Sequence, residues 1–184
     1  MSLTERLAIG LLAVTCVPGC ALREPARAAA PEVRPVAKSL GASVESHDQA
    51  LAAALLALRL APSAAAHRQV AAEYRRLKID DTAFDHLTAA TRLDPADAAA
   101  YDGLARIWRD WGFPDRGLAD ANRAVFHAPG SAAAHNTRGT LLAALGQDAE
   151  ARRDFAAALA LDPTAGYADA NLRRLDERAR SRVR

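Results

Sequence analysis

The chain has 184 residues and a formal net charge of +2, which suits one ordinary domain with tails. Apolar residues make up 51% of it but aromatic residues only 5%, because alanine supplies most of the apolar content. A core must therefore form by close packing of alanine-rich helices. Runs of alternating β-branched residues bounded by turn dipeptides are absent, which excludes a β-rich fold. We predict an all-α protein.

The first predicted element, residues 1–19, is an export signal. Its apolar stretch runs from Leu7 to Val17, which is too short to span a membrane as a helix but suits a signal peptide. The ending "VPGC" resembles the lipobox of bacterial lipoproteins, with Gly19 directly before Cys20. The resemblance implies lipidation of Cys20 and anchoring to a membrane of the bacterial cell envelope, facing the periplasm or the exterior. The alternative is an ordinary secretory signal and a soluble periplasmic or secreted protein.

Two segments lie between the signal and the main body of the chain. Residues 20–46 carry three prolines, which deny the segment a continuous helix, and they predict a disordered tether. Residues 47–63 predict the helix of a partial repeat, because Pro62 lies almost as far before Pro95 as Pro95 lies before Pro129.

Three consecutive units follow, at residues 64–97, 98–131 and 132–165. Four sets of residues recur at a constant spacing equal to the length of one unit. They are Pro95, Pro129 and Pro163; Ala90, Ala124 and Ala158; Ala83, Gly117 and Ala151; and Gly112 and Gly146. This length fits two antiparallel helices of about 13 residues with tight turns. Each proline disfavours helical geometry in the residue before it, so the chain turns where one unit joins the next.

The units resemble tetratricopeptide repeats. That pattern has aromatic and small residues at fixed places in two helices and a closing proline. The third unit carries it at Gly139, Leu142, Gly146, Ala151, Phe155, Ala158 and Pro163, the second at Tyr101, Leu104, Ala105, Trp108, Gly112, Ala124 and Pro129, and the first at Val70, Ala71, Tyr74, Ala83, Leu87, Ala90 and Pro95. Lys78 stands in the first unit where the turn glycine is usual. The resemblance implies a helix-turn-helix solenoid with a right-handed superhelical stack.

Residues 166–184 predict a capping helix with a basic tail. Leu172 and Leu175 would cover the last apolar face of the stack, with the arginines of this segment left in solvent. No aromatic residues are interleaved with those arginines for stacking on bases, so we expect no nucleic-acid partner.

The resemblance also implies a function. In such arrays the first helices of the units line a groove that holds an extended peptide or a partner's helix. The groove side chains would be Arg68, Gln69, Arg75, Arg76, Asp102, Arg106, Arg109, Asn136, Thr137 and Thr140. Five arginines in this set suit carboxylate recognition by paired hydrogen bonds. We expect a non-enzymatic adaptor for a protein or peptide partner in the envelope, of the kind that assists pilus or secretion-complex assembly. The alternative is a structural or regulatory subunit that binds through its convex face or its basic C-terminal helix.

No catalytic, cofactor or metal site is predicted. The histidines His47, His67, His86, His127 and His135 never fall four apart on one helix, and no phosphate-binding glycine loop or nucleophile with a partnered base occurs. Trp108 and Trp111 could stack a ligand, but Trp108 occupies a core place of the repeat. The acidic pair Asp80 and Asp81 suits a helix start, where the helix dipole favours negative charge.

Overall fold

A computed structural model describes residues 38–164 and 166–183. These residues form eight helices and no strand: α1 (Lys38–Leu60), α2 (Ala64–Arg76), α3 (Asp80–Leu93), α4 (Ala98–Asp110), α5 (Pro114–His127), α6 (Ala132–Ala144), α7 (Asp148–Leu161) and α8 (Gly166–Val183). The prediction of an all-α helix-turn-helix solenoid is confirmed. The predicted signal peptide, Cys20 and the tether up to residue 37 lie outside the described residues. No helix within the described ranges has the length and apolar character needed to cross a membrane.

Helix α1 begins earlier than the sequence predicted. We expected the tether to reach residue 46 and the helix to start at 47, but the helical backbone begins at Lys38. The prolines that argued against a helix end at Pro35. Because nothing after that position removes a backbone donor or fixes φ, the chain can be helical from there on.

The first helix of each unit starts at a side-chain cap. Ser63, Asp97 and Ser131 accept hydrogen bonds from the backbone N–H three residues later, at 3.1, 3.0 and 3.2 Å. These residues occupy the same place in successive units. Each cap satisfies a helix N–H that would otherwise have no partner, so the helix start is fixed at the same place in every unit.

The turn between the two helices of each unit requires a left-handed backbone. Gly112 and Gly146 have φ values of 81° and 76°, and Lys78 has 62° at the corresponding place. Glycine adopts this conformation without steric cost, whereas a residue with a Cβ does not. The first unit therefore carries local strain that the other two avoid.

The helices pack in antiparallel pairs, α2 with α3, α4 with α5 and α6 with α7, and each pair contacts the next. Alanines line the crossings, with Ala83, Ala90, Ala124 and Ala158 fully buried. Leu87 and Phe155 fill the space between paired helices, at 5% and 1% exposure. Small residues thus allow close approach, and a few large ones fill the gaps that remain.

Helix α8 covers the C-terminal end of the stack. Leu175 is 2% exposed and packs with Leu172 against the cluster that contains Phe155. The Arg178 guanidinium donates a hydrogen bond of 3.0 Å to the carbonyl of Ala143, which ties α8 to α6. These contacts show that Leu172 and Leu175 face the stack. Arg173, Arg174, Arg178 and Arg180 are exposed at its surface.

Candidate interaction groove

The first helices of successive units lie side by side. Helix α6 contacts both α4 and α8, and α2 and α4 line a common pocket. Three pockets follow one another between these helices, and the surface that they form on α2, α4, α6 and α8 is called the groove below. The caps Ser63, Asp97 and Ser131 fix the residues at which α2, α4 and α6 begin, and these caps recur with the repeat. The repeat therefore determines which residues of these helices line the groove.

The pocket between α2 and α4 has a volume of about 210 Å³. Its lining combines an apolar floor with a charged rim: Arg68, Ala71, Ala72, Arg75, Leu87, Ala99, Asp102, Gly103 and Arg106. A Cβ on Gly103 would lie 2.8 Å from a Leu87 methyl carbon, so the glycine lets Leu87 reach the floor. An aliphatic group of a ligand would find apolar contact here with charges at its edge.

The second pocket, of about 300 Å³, lies between α4, α6 and α8. It is lined by Arg106, Arg109, Ala133, Asn136, Thr137 and Tyr167. Tyr167 is 45% exposed and presents a ring with a hydroxyl to the pocket. The Asn171 amide donates a 2.9 Å hydrogen bond to the Asn136 side-chain oxygen, which joins α8 to α6 beside the pocket.

The remaining predicted groove residues are distributed unevenly. Thr140 lines the third pocket, between α6 and α8, and Gln69 lines a pocket between α1 and α2. Arg76 lines none of these pockets and is hydrogen-bonded to Glu73 at 3.3 Å. Thr137 is only 4% exposed, because it lies where α6 packs against α4. It therefore offers a ligand much less surface than the sequence suggested.

Every arginine of the predicted set has an acidic neighbour. Arg68 lies 2.7 Å from Asp97, Arg75 lies 2.6 Å from Asp110, and Arg109 also binds Asp110, at 2.8 Å. The loosest pair is Arg106 with Asp102, at 3.9 Å. The groove is therefore a mosaic of paired charges, in which the carboxylate of a ligand would compete with the acidic residues that already contact the arginines.

Sequence reasoning missed a buried polar cluster on α6 and α7. Asp154 is 4% exposed and accepts two 2.7 Å hydrogen bonds from Arg138. His135 lies 3.0 Å from the same carboxylate through Nδ1 and 3.1 Å from the Pro129 carbonyl through Nε2. The hydrogen bond to Asp154 raises the pKa of Arg138, and burial opposes this only in part. The cluster ties the two helices of the third unit together.

The corresponding place in the first unit holds two histidines. His67 and His86 approach to 3.0 Å between their Nδ1 atoms, and Tyr74 stacks on His86 with ring centroids 5.7 Å apart. Burial and the neighbouring His67 lower the pKa of His86. The signal for both clusters was present in the sequence, since His86 stands 19 positions after His67 and Asp154 stands 19 positions after His135.

An aromatic cluster occupies the middle of the array. Trp108 makes edge contacts with Phe84 and Trp111, at centroid distances of 5.1 and 5.4 Å. The Arg116 guanidinium lies 5.1 Å from the Phe113 ring centre and 5.4 Å from that of Trp108. Because the rings pack on one another, Trp108 and Trp111 serve the packing of the second unit, as the sequence favoured.

The histidines and acidic residues of the described part of the chain are its candidate metal ligands. No group of three or more histidine, cysteine or acidic residues there could hold a metal ion. His67 and His86 approach each other, but the ring that stacks on His86 belongs to Tyr74 and supplies no carboxylate as a third metal ligand. The described surface offers a ligand the open pockets along the groove, a pocket between α1 and α2, and a pocket of about 360 Å³ between α5, α6 and α7 that is lined by Arg138, Glu150 and Asp154 among others.

Comparison with known proteins gives a family match for one unit and a fold match for the array. The tetratricopeptide repeat family model matches residues 132–165. No curated protein sequence matches the chain significantly.

Three solved structures show the same fold. The first tetratricopeptide repeat of Spaghetti (RPAP3) bound to the HSP90 peptide SRMEEVD is 23% identical with a TM-score of 0.61, and the alignment covers 64% of this chain and 93% of that one. The first such domain of human RPAP3 is 24% identical with a TM-score of 0.62 and the same coverage. The Arabidopsis OM64 domain is 23% identical, with a TM-score of 0.60 over 63% of this chain and 96% of that one. The described helices thus have the architecture of a tetratricopeptide solenoid.

Proposed function

We propose that the protein is a non-enzymatic adaptor whose groove binds an extended segment of a partner protein. The observation that carries the proposal is the series of three pockets between successive first helices. A series of pockets along the array suits a chain whose side chains enter them one after another. The use of a similar array by Spaghetti (RPAP3), which is bound to an HSP90 peptide, supports a peptide as the ligand.

The groove chemistry indicates what kind of segment fits. Because the charges on the rim are paired, we expect the groove to favour a ligand that carries both signs of charge. A strongly acidic peptide would have to displace the carboxylates that already bind the arginines. Arg106 is the exception, because it is half exposed and its pair with Asp102 is 3.9 Å long. We therefore expect one ligand carboxylate at Arg106 and small apolar side chains on the alanine-lined floors of the pockets.

The groove can be tested through two exposed alanines. Ala133 lines the pocket between α4, α6 and α8, whereas Ala156 is exposed on the second helix α7. A photo-reactive residue at position 133 should cross-link a partner in the native cells, and one at position 156 should not. Ala133→Phe should fill the pocket and remove the partner, while Ala156→Phe keeps it. Loss of the partner on removal of residues 180–184, with Ala133→Phe harmless, would instead support binding through the basic C-terminal helix.

The envelope location is the second part of the proposal. An apolar stretch of signal-peptide length followed by "VPGC" supports a lipid anchor at Cys20, with the repeats facing the periplasm or the exterior. An adaptor held at a membrane would suit the assembly of envelope structures such as pili or secretion complexes. Membrane fractionation of wild type and Cys20→Ala tests the anchor, because only the wild type should sediment with membranes. A wild type that is soluble after export would contradict it.

A further inference from the structure

Helix α1 exposes an apolar face at the N-terminal end of the stack. Leu55, Leu56 and Leu60 are 38%, 57% and 76% exposed, while Ala54 on the opposite side is buried next to α2. Helix α8 covers the other end of the stack, but no helix in the described ranges covers the outer face of α1. Exposed leucines grouped on one helix face are typical of an interaction surface.

One stripe of this face has a charge at each end. Asp48, Ala52, Leu55 and Arg59 recur at spacings of four, three and four residues, and all four are exposed. Residues at these spacings lie along one side of a helix. The stripe therefore begins with a negative charge and ends with a positive one, with apolar side chains between. Neither charged residue forms an ion pair with a side chain that the structure describes.

We propose that two copies of the chain associate through antiparallel pairing of their α1 helices. A two-fold axis at the level midway between Ala53 and Ala54 places Asp48 of each copy opposite Arg59 of the other. The same axis places the small Ala52 opposite the large Leu55, which lets the helices approach closely. A symmetric interface must be complementary to itself, and this stripe meets that condition in both charge and size.

The self-complementarity favours a second copy over other occupants. A second copy is complementary to this stripe because the charges lie symmetrically about its centre, whereas binding of a different partner would require no such symmetry. Residues 48–60 extend only about 18 Å as a helix, which is short for a stable interface of about 800 Å² per partner. We therefore expect a reversible dimer whose fraction rises with protein concentration. This inference goes beyond the proposed function and does not depend on it.

Charge reversal in the full-length protein tests the pairing, with sedimentation velocity over a concentration series as the measurement. Asp48→Arg and Arg59→Asp should each weaken dimerisation about tenfold or more, because each change turns two attractive contacts into repulsive ones. The double variant D48R/R59D should recover the wild-type affinity. An equimolar mixture of the two single variants should form a heterodimer, since the two arginines on the stripe of one chain then meet the two aspartates of the other.

A matched leucine pair tests the apolar part of the interface. Leu56 and Leu93 are both 57% exposed. Leu56 lies on α1, whereas Leu93 lies on α3 and is outside the proposed interface. Leu56→Asp should abolish the dimer, and Leu93→Asp should leave it unchanged. A wild type that stays monomeric throughout the series would overturn the proposal and assign the face of α1 to residues 1–37 or to another protein. Single charge variants that dimerise as well as the wild type would equally overturn it.

Discussion

A methyl group added at Gly139 should destabilise the third unit. Gly139 lies in α6 directly against the Phe155 ring of α7. An ideal Cβ at this position would lie 2.7 Å from Phe155 Cε1 and 2.9 Å from Cδ1. Phe155 is 1% exposed and packed against Leu142, Ala151 and Leu175, so its ring can move only by shifting these neighbours or by entering the pocket between α6 and α8 that it lines.

Two effects of Gly139→Ala oppose each other. Alanine is favoured over glycine inside a helix by about 1 kcal/mol, whereas overpacking a core costs about 1–3 kcal/mol. Because a buried ring cannot yield as a flexible side chain would, we expect the upper part of that range and a net loss of about 1–2 kcal/mol. For a domain of this size, that loss lowers the melting temperature by about 2–8 °C.

Urea denaturation followed by circular dichroism in the far ultraviolet measures the effect. Gly103→Ala is the matched control, because its Cβ would meet only the flexible methyl groups of Leu87. Adding Phe155→Leu to Gly139→Ala should recover stability relative to the sum of the two single changes, as expected for residues in direct contact. If Gly139→Ala proves as stable as the wild type, α6 and α7 do not cross as closely as described.

Three further changes test other features, all by denaturation. Gly112→Ala should cost about 1 kcal/mol because φ is 81° there, whereas Gly130→Ala, with a negative φ and no atom within 4 Å, should cost little. Asp154→Ala should cost about 3 kcal/mol, since it leaves a half-buried guanidinium unpaired, and a cost below about 1 kcal/mol would contradict this. Burial and His67 hold the pKa of His86 below 6.5 in the folded state, so the unfolded chain binds its proton first. Stability should therefore fall as the pH drops below about 6.5, and His86→Asn should flatten that dependence, whereas an equal fall in the variant would refute the assignment.

The period of the fold could be predicted from the sequence, and its boundaries could be predicted only in part. Prolines at a constant spacing mark the joins between units because they act on the local backbone, whatever surrounds them. The caps Ser63, Asp97 and Ser131 follow the same period and could have fixed the first-helix starts. The start of α1 was harder, because no cap or proline stands at Lys38.

The charge of the groove could not be predicted from the composition of its helices. Arg75 is paired with Asp110, 35 residues later, and Asn136 is bonded to Asn171 at the same separation. In both pairs, the two residues lie on successive first helices. Their separation in sequence is the length of one repeat plus one position. Such contacts depend on how far one helix is shifted along the next, and the periodicity of the sequence does not specify that shift. The distant partners of Arg68 and Arg75 therefore became visible only in three dimensions, whereas Arg76, Arg106 and Arg109 pair with acidic residues within four positions of them.

The place where the family usually has its first aromatic residue explains how the units differ. In the first and third units this place holds His67 and His135, and each ring nitrogen near the second helix finds a polar partner there, His86 or Asp154. In the second unit the place holds Tyr101, which stacks on His127 with ring centroids 5.9 Å apart. An imidazole carries its polar nitrogens in the ring and bonds to the second helix through one of them, whereas the phenol ring of Tyr101 meets the second helix by stacking. The second helix carries a polar residue at this facing place in every unit, because Asp120 stands there in the second unit. The histidines of the two outer units thus bond to a place that the repeat keeps polar even where the first helix carries a tyrosine.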